Sequence, residues 1–139
     1  MINNSKIYVD TSAFYALLDR SDRYHKQASA LWPTLLNENV TLITSNYVVS
    51  ETVGLLQNRI GFQAAKLWYR DILGVLYVWW VDKAAHERAY DLWLNLCRRR
   101  LSLIDCVSFV TMHHHQIEKA FCFKPHFTEH GFDLLTISS

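Results

Sequence analysis

The chain has 139 residues, close to the commonest size of one domain and enough to bury a real core. Half of it is hydrophobic, 14% is aromatic and only 19% is charged, which excludes a disordered chain. A formal net charge of +1 excludes attraction to nucleic acid through overall charge, so any such binding must come from local patches.

With four Gly, two Pro and no repeat or linker, residues 1–139 read as one domain of continuous secondary structure. The N-terminus (MINNSKIYVD) has neither a long apolar stretch nor a small-residue cleavage site, so a cytoplasmic protein is expected. Cys97, Cys106 and Cys122 are odd in number and lack metal-type spacing, which predicts reduced thiols.

In chain order, residues 6–9 form the first predicted strand, ending at Asp10, after which Thr11 or Ser12 caps a helix carrying Phe14, Leu17 and Leu18. A second helix is predicted over 25–36. VTLIT at 40–44 reads as the next strand, with Ser45 or Asn46 capping a helix through Val48, Val49, Val53, Leu55 and Leu56. Gly61 marks a break before another helix. The most apolar run, ILGVLYVWWV at 72–81, is too short to cross a bilayer and rich in β-formers, so it predicts a buried strand over 75–81 with Trp79 and Trp80 in the core. No membrane span follows. Asp82 then caps a helix through Ala85, Ala89, Leu92, Trp93 and Leu96, and Ser102 starts another toward His115. Two short strands, 120–123 and 134–137, complete the chain.

Strands alternating with helical segments require crossover connections and a mainly parallel sheet covered on both faces, a three-layer α/β/α sandwich. Such sheets bind ligands beyond the carboxyl ends of their strands, which is where Asp10 stands.

Three acids stand out, and each has an ordinary explanation beside the functional one. Asp10 precedes Thr11 and Ser12; it offers oxygen to a hard cation or simply caps a helix. Glu51 complements a helix dipole, yet its flanks Val48, Val49 and Val53 predict burial, where an unpaired carboxylate is costly. Asp105 ends the Ser-x-x-Asp form of a capping box, yet Cys106, Val107, Phe109 and Val110 mark a buried helix in which its charge needs a partner.

The segments IYVDTSA (7–13), SET (50–52) and LSLID (101–105) resemble the ordered acidic motifs of PIN domains, and are most similar to those of the VapC toxin branch. FKPHF (123–127) with Gly131 and Phe132 extends the similarity over nearly the whole chain. The resemblance implies a pocket in which Asp10, Glu51 and Asp105 hold Mg²⁺ or Mn²⁺ and cut RNA, together with a homodimer and an antitoxin partner. In that reading Asp10 and Asp105 are the main metal ligands, Glu51 binds through water or orients it, and Thr11 or Ser12 supports the metal water. The residue types fit independently of the family, because clustered carboxylates repel each other unless a cation neutralises them, and a bound divalent ion activates water for attack on a phosphodiester.

The chain departs from the branch at Lys124, where an Asp is usual and supplies a fourth carboxylate. A positive charge there lowers affinity for a second cation. Three outcomes stay open: a one-metal nuclease, a site completed by another acid such as Glu129, or a noncatalytic domain that binds RNA or an antitoxin. Lys124 is a candidate for RNA phosphate contact, as are Arg98, Arg99 and Arg100, although such basic runs are often plain solvated faces. His113, His114 and His115 are adjacent on a helix and cannot all grip one metal. Trp68, Tyr69 and Trp93 could pack internally or face a partner. A phosphatase of the haloacid dehalogenase type would need an acid where Ser12 stands.

Overall fold

The computed structural model describes residues 5–37 and 39–135. Strands β1 (Ser5–Val9), β2 (Val40–Ser45), β3 (Tyr77–Trp79), β4 (Lys119–Phe121) and β5 (Asp133–Leu134) form one sheet in the order β3-β2-β1-β4-β5, and every pairing is parallel. Tyr8 and Val9 are adjacent on β1 and both fully buried. Neighbouring strand residues point to opposite faces, so the sheet is covered on both sides, as an α/β sandwich requires.

The helices are α1 (Thr11–Leu18), α2 (His25–Asn37), α3 (Asn46–Arg59), α4 (Phe62–Leu67), α5 (Lys83–Leu96), α6 (Leu103–His114) and α7 (His126–Glu129). Their starts follow capping chemistry: Ser45 Oγ accepts from Val48 N on α3, and Asp82 accepts from Ala85 N on α5. The first cap differs from expectation, because the carboxylate of Asp10 itself accepts from Ser12 N, and neither Thr11 nor Ser12 caps α1. Gly61 separates α3 from α4 at φ 129°, a backbone region that disfavours side chains. None of the described helices is long and apolar enough to cross a membrane.

The expected buried strand over 75–81 is a correction. Residues Trp68–Ile72 form a π-helical turn and Leu73–Val75 a 3₁₀ turn, so the helical path from α4 runs deep into the apolar run and leaves only three residues of strand. That strand lies at the sheet edge, and Tyr77 and Trp80 are exposed. Trp79 stacks on the ring of His114, while Trp68 is fully buried edge-to-face against Phe14, with no surface left to offer a partner. Of the three clustered histidines, His113 faces His130 and Phe132, His114 faces Trp79, and His115 Nδ1 meets the Thr111 carbonyl. The strands expected over 120–123 and 134–137 occur as 119–121 and 133–134, with 136–137 outside the described residues.

A polar thread ties the sheet to α6: the phenol of Tyr8 lies 2.7 Å from Ser108 Oγ and donates to Ser45 Oγ at 3.4 Å. Burial pushes the phenol's pKa up, so it stays protonated throughout the working range. Tyr8→Phe removes this partner from a buried serine and is expected to lower stability by about 1–2 kcal/mol. Urea denaturation of both proteins measures the change directly.

Candidate functional site

The strand order reverses at β1: the chain leaves β1 toward β2 on one side, whereas β4 continues to β5 on the other. A crevice opens at such a switch point beyond the strands' carboxyl ends. Asp10 follows β1 there and Lys124 follows β4, and Asp10 N donates to Phe121 O at 3.1 Å to lock the two ends together.

Asp10 is fully buried. Its Oδ2 accepts from Ser12 N at 3.0 Å, from Ser12 Oγ at 2.7 Å and from Cys122 Sγ at 3.6 Å. Ser12 Oγ in turn accepts from Phe123 N at 3.0 Å, so this hydroxyl joins α1 to the segment after β4. Thr11 is buried and accepts from Thr52 Oγ1 at 3.1 Å, which fixes α1 against α3 one residue from Glu51. Burial first, and then the Asp10 carboxylate, raise the Cys122 thiol well above its ordinary pKa, so it acts here as a weak donor and not as a nucleophile.

Asp105 occupies the first turn of α6 and completes a capping box: its Oδ2 accepts from Ser102 N at 3.1 Å while Ser102 Oγ accepts from Asp105 N at 3.0 Å. The capping explanation and the site explanation therefore hold together, because Oδ1 is left to accept from Lys124 Nζ at 3.1 Å. The same ammonium stands 3.9 Å from Asp10 Oδ2. Burial alone would lower the Lys124 pKa, but the charges of Asp10, Asp105 and Glu51 and the bond to Asp105 hold it well above the ordinary lysine value. Lys124 thus pairs with Asp10 and Asp105, and the charge of Glu51 also favours its ammonium.

Two buried oxygens, Asp10 Oδ1 and Glu51 Oε1, have no hydrogen-bond partner among the described residues. Unpaired carboxylate oxygens of this kind are the donors a hard divalent cation takes. No three His, Cys, Asp or Glu side chains among the described residues are yet arranged to hold an ion by themselves, and the cation now between Asp10 and Asp105 is Lys124. The donor set fits Mg²⁺ or Mn²⁺ in kind, in competition with that ammonium.

Other expected contributors lie differently. Glu129, a candidate fourth acid, is bound instead to Arg98 and His126. Arg98 is therefore paired, Arg99 lines a separate apolar cavity with Trp93 and Leu94, and Arg100 is exposed. Sequence reasoning gave Cys122 and Thr52 no role in the site, although Thr52 lies in the SET segment beside Glu51.

The family model for the PIN domain matches residues 7–132. Over 127 residues the chain is 33% identical to the 23S rRNA-specific endonuclease VapC20 of Mycobacterium tuberculosis, covering 91% of this chain and 95% of that protein. The crystal structure of VapC20, described as a sarcin-ricin loop cleaving toxin, aligns with a TM-score of 0.84 at 32% identity over 94% of this chain and 99% of the other. VapBC2 from Rickettsia felis shares the fold, with a TM-score of 0.71 at 9% identity over 96% and 99% of the two chains.

Proposed function

This chain belongs to the PIN-domain family, and on that premise we propose that it is a divalent-metal-dependent endoribonuclease, the toxin of a toxin–antitoxin pair. Its proposed partners are a cognate antitoxin and a second copy of itself, and its substrate is RNA. The observation that carries the catalytic reading is the pair of buried, unpartnered oxygens, Asp10 Oδ1 and Glu51 Oε1, in the crevice where Asp105 also turns a carboxylate inward.

Asp10 and Asp105 would hold Mg²⁺ or Mn²⁺, with Glu51 reaching it directly or through water. When bound, the ion supplies charge stabilisation at the phosphate and lowers the pKa of a water. Ser12 and Cys122 hold the Asp10 carboxylate through Oδ2 and leave Oδ1 without a partner among the described residues. Glu51 is the acceptor for a proton from the attacking water, since its free oxygen has no other bond to break. Lys124 must leave Asp105 for a cation to be held there, and its released ammonium is then available to a phosphate.

A second reading has its own support: Lys124 already neutralises Asp105 at 3.1 Å, which suits a domain that binds RNA or an antitoxin without turnover. Incubating the protein with a labelled stem-loop RNA separates the two. Fragments are expected with Mg²⁺ or Mn²⁺ and none with a chelator. Intact RNA at every concentration of either metal would favour the binding module, and cleavage in excess chelator would remove the metal from the proposal.

A further inference from the structure

Beside the acids lies a groove of about 310 Å³, at the small end of ligand-site sizes, that begins at Ser12, Glu51 and Lys124 and extends to Arg23, Tyr24 and Arg59. Its far end is layered. The ring of Phe123 stacks on that of Tyr24 at 4.5 Å with planes only 5° apart, and the Arg23 guanidinium lies over the Tyr24 ring at 5.0 Å. Phe123 covers one face of Tyr24, so the guanidinium over this ring lies on its other face. The turn bearing it is held by Asp22, whose carboxylate accepts from Tyr24 N at 3.0 Å. Across the groove, Arg59 at the end of α3 lies over the Tyr15 ring at 5.5 Å. Neither Arg23 nor Arg59 has an ion-pair partner among the described residues, unlike Arg98 and Arg70, which are neutralised by Glu129 and Asp71.

We infer that this groove is the binding site for a single-stranded segment of RNA flanking the scissile phosphate: Arg23 stacks on a base with its guanidinium plane, and Arg59 pairs with a backbone phosphate. The inference rests on the ribonuclease reading for its direction, since the groove runs out of the acid crevice. Its physical basis is independent. A planar guanidinium backed by two aromatic rings is a rigid platform for a nucleobase, a use that a lysine cannot serve. A guanidinium over an aromatic ring and a second arginine without an ion-pair partner among the described residues, both lining one groove, suit a chain in which base and phosphate alternate. An acidic peptide would satisfy the charges but has no use for the stacked plane.

The test is binding, measured apart from cleavage. A short fluorescein-labelled, unstructured RNA is titrated with the full chain in a chelator, and the affinity is followed against salt. The native protein is expected to bind with a salt slope that falls by about 0.7 in Arg59→Gln, which loses the phosphate contact, whereas Arg23→Gln weakens binding with the slope kept, because its contact is to a base. Arg23→Lys keeps the slope but weakens binding about 10-fold through loss of stacking. Tyr24→Ala, which removes the support beneath the guanidinium, also weakens it without changing the slope. No association by the native chain, or equal affinity in all four variants, overturns the proposal. So does an Arg23→Lys variant indistinguishable from native whose bound RNA is displaced by a poly-glutamate peptide, because that result assigns the groove to a protein. Binding that follows the expected order in a chain that never cleaves RNA would uphold the groove and overturn the nuclease reading instead.

Discussion

Asp10→Asn and Asp105→Asn are each expected to reduce metal-dependent RNA cleavage by roughly 10³-fold while leaving the fold in place. Several kcal/mol of charge stabilisation at the reacting phosphate depend on a fully charged carboxylate pair, and each 1.36 kcal/mol is a factor of ten in rate. Asparagine is the right substitution because both acids also cap helices, and an amide oxygen accepts from Ser12 N or Ser102 N as a carboxylate oxygen does. Alanine would confuse lost chemistry with a lost cap. Initial rates with Mg²⁺ and Mn²⁺, compared with far-UV circular dichroism of the same samples, decide the matter. Both variants cleaving at native rates would remove the acids from catalysis.

Lys124→Met has the larger effect on stability. It leaves the buried Asp10 and Asp105 carboxylates without the cation now 3.9 Å and 3.1 Å away. Stranding a buried charge costs about 3–5 kcal/mol; the Lys124 side chain keeps 31% of its exposure, so solvent screening brings the expected loss to about 2 kcal/mol, or roughly 5–8 °C in melting temperature. The loss is measured in a chelator. Millimolar Mn²⁺ is then expected to restore the variant far more than it raises the native protein, because the ion meets no competitor; saturation at 100 times the dissociation constant recovers about 2.7 kcal/mol. The native pair also has a pH signature. Its folded-state lysine pKa is raised, so the stabilisation is complete below the ordinary lysine pKa of about 10.4 and fades only as pH climbs beyond it. Equal melting of native and variant protein without metal would show that the ion pair stabilises nothing.

Much of this architecture was legible from residues alone where local chemistry and burial agree. Asp10, Ser45, Asp82 and Ser102 all stand at helix starts, and the parallel sheet followed from the alternation of apolar strands with helices. The run at 72–81 misled because composition cannot tell an apolar helix end from an apolar strand, and here a π turn and a 3₁₀ turn take it as far as Val75. The departure at Lys124 could be seen in sequence, but not its direction. An ammonium at a pocket rim can face phosphate or carboxylate, and the turn after β4, pinned by Lys124 N donating to Cys122 Sγ at 3.2 Å, sends it inward. The groove of Arg23, Tyr24 and Arg59 was invisible for a different reason: its lining comes from separate segments of the chain and carries no shared spacing.

The position of β1 has a consequence for the order in which the protein is made. Of the described strands, β1 comes first in the chain and lies at the centre of the sheet, yet one of its two neighbours, β4, is the fourth of five. A nascent chain halted before residue 119 has Asp10, Glu51 and Asp105 but lacks the strand that anchors Asp10 through Phe121 and the lysine that neutralises it. Such a partial polypeptide carries the three acids of the site and no assembled crevice. The crevice therefore forms only once β4 and Lys124 stand beside β1, so assembly of the centre depends on a segment distant in sequence from Asp10.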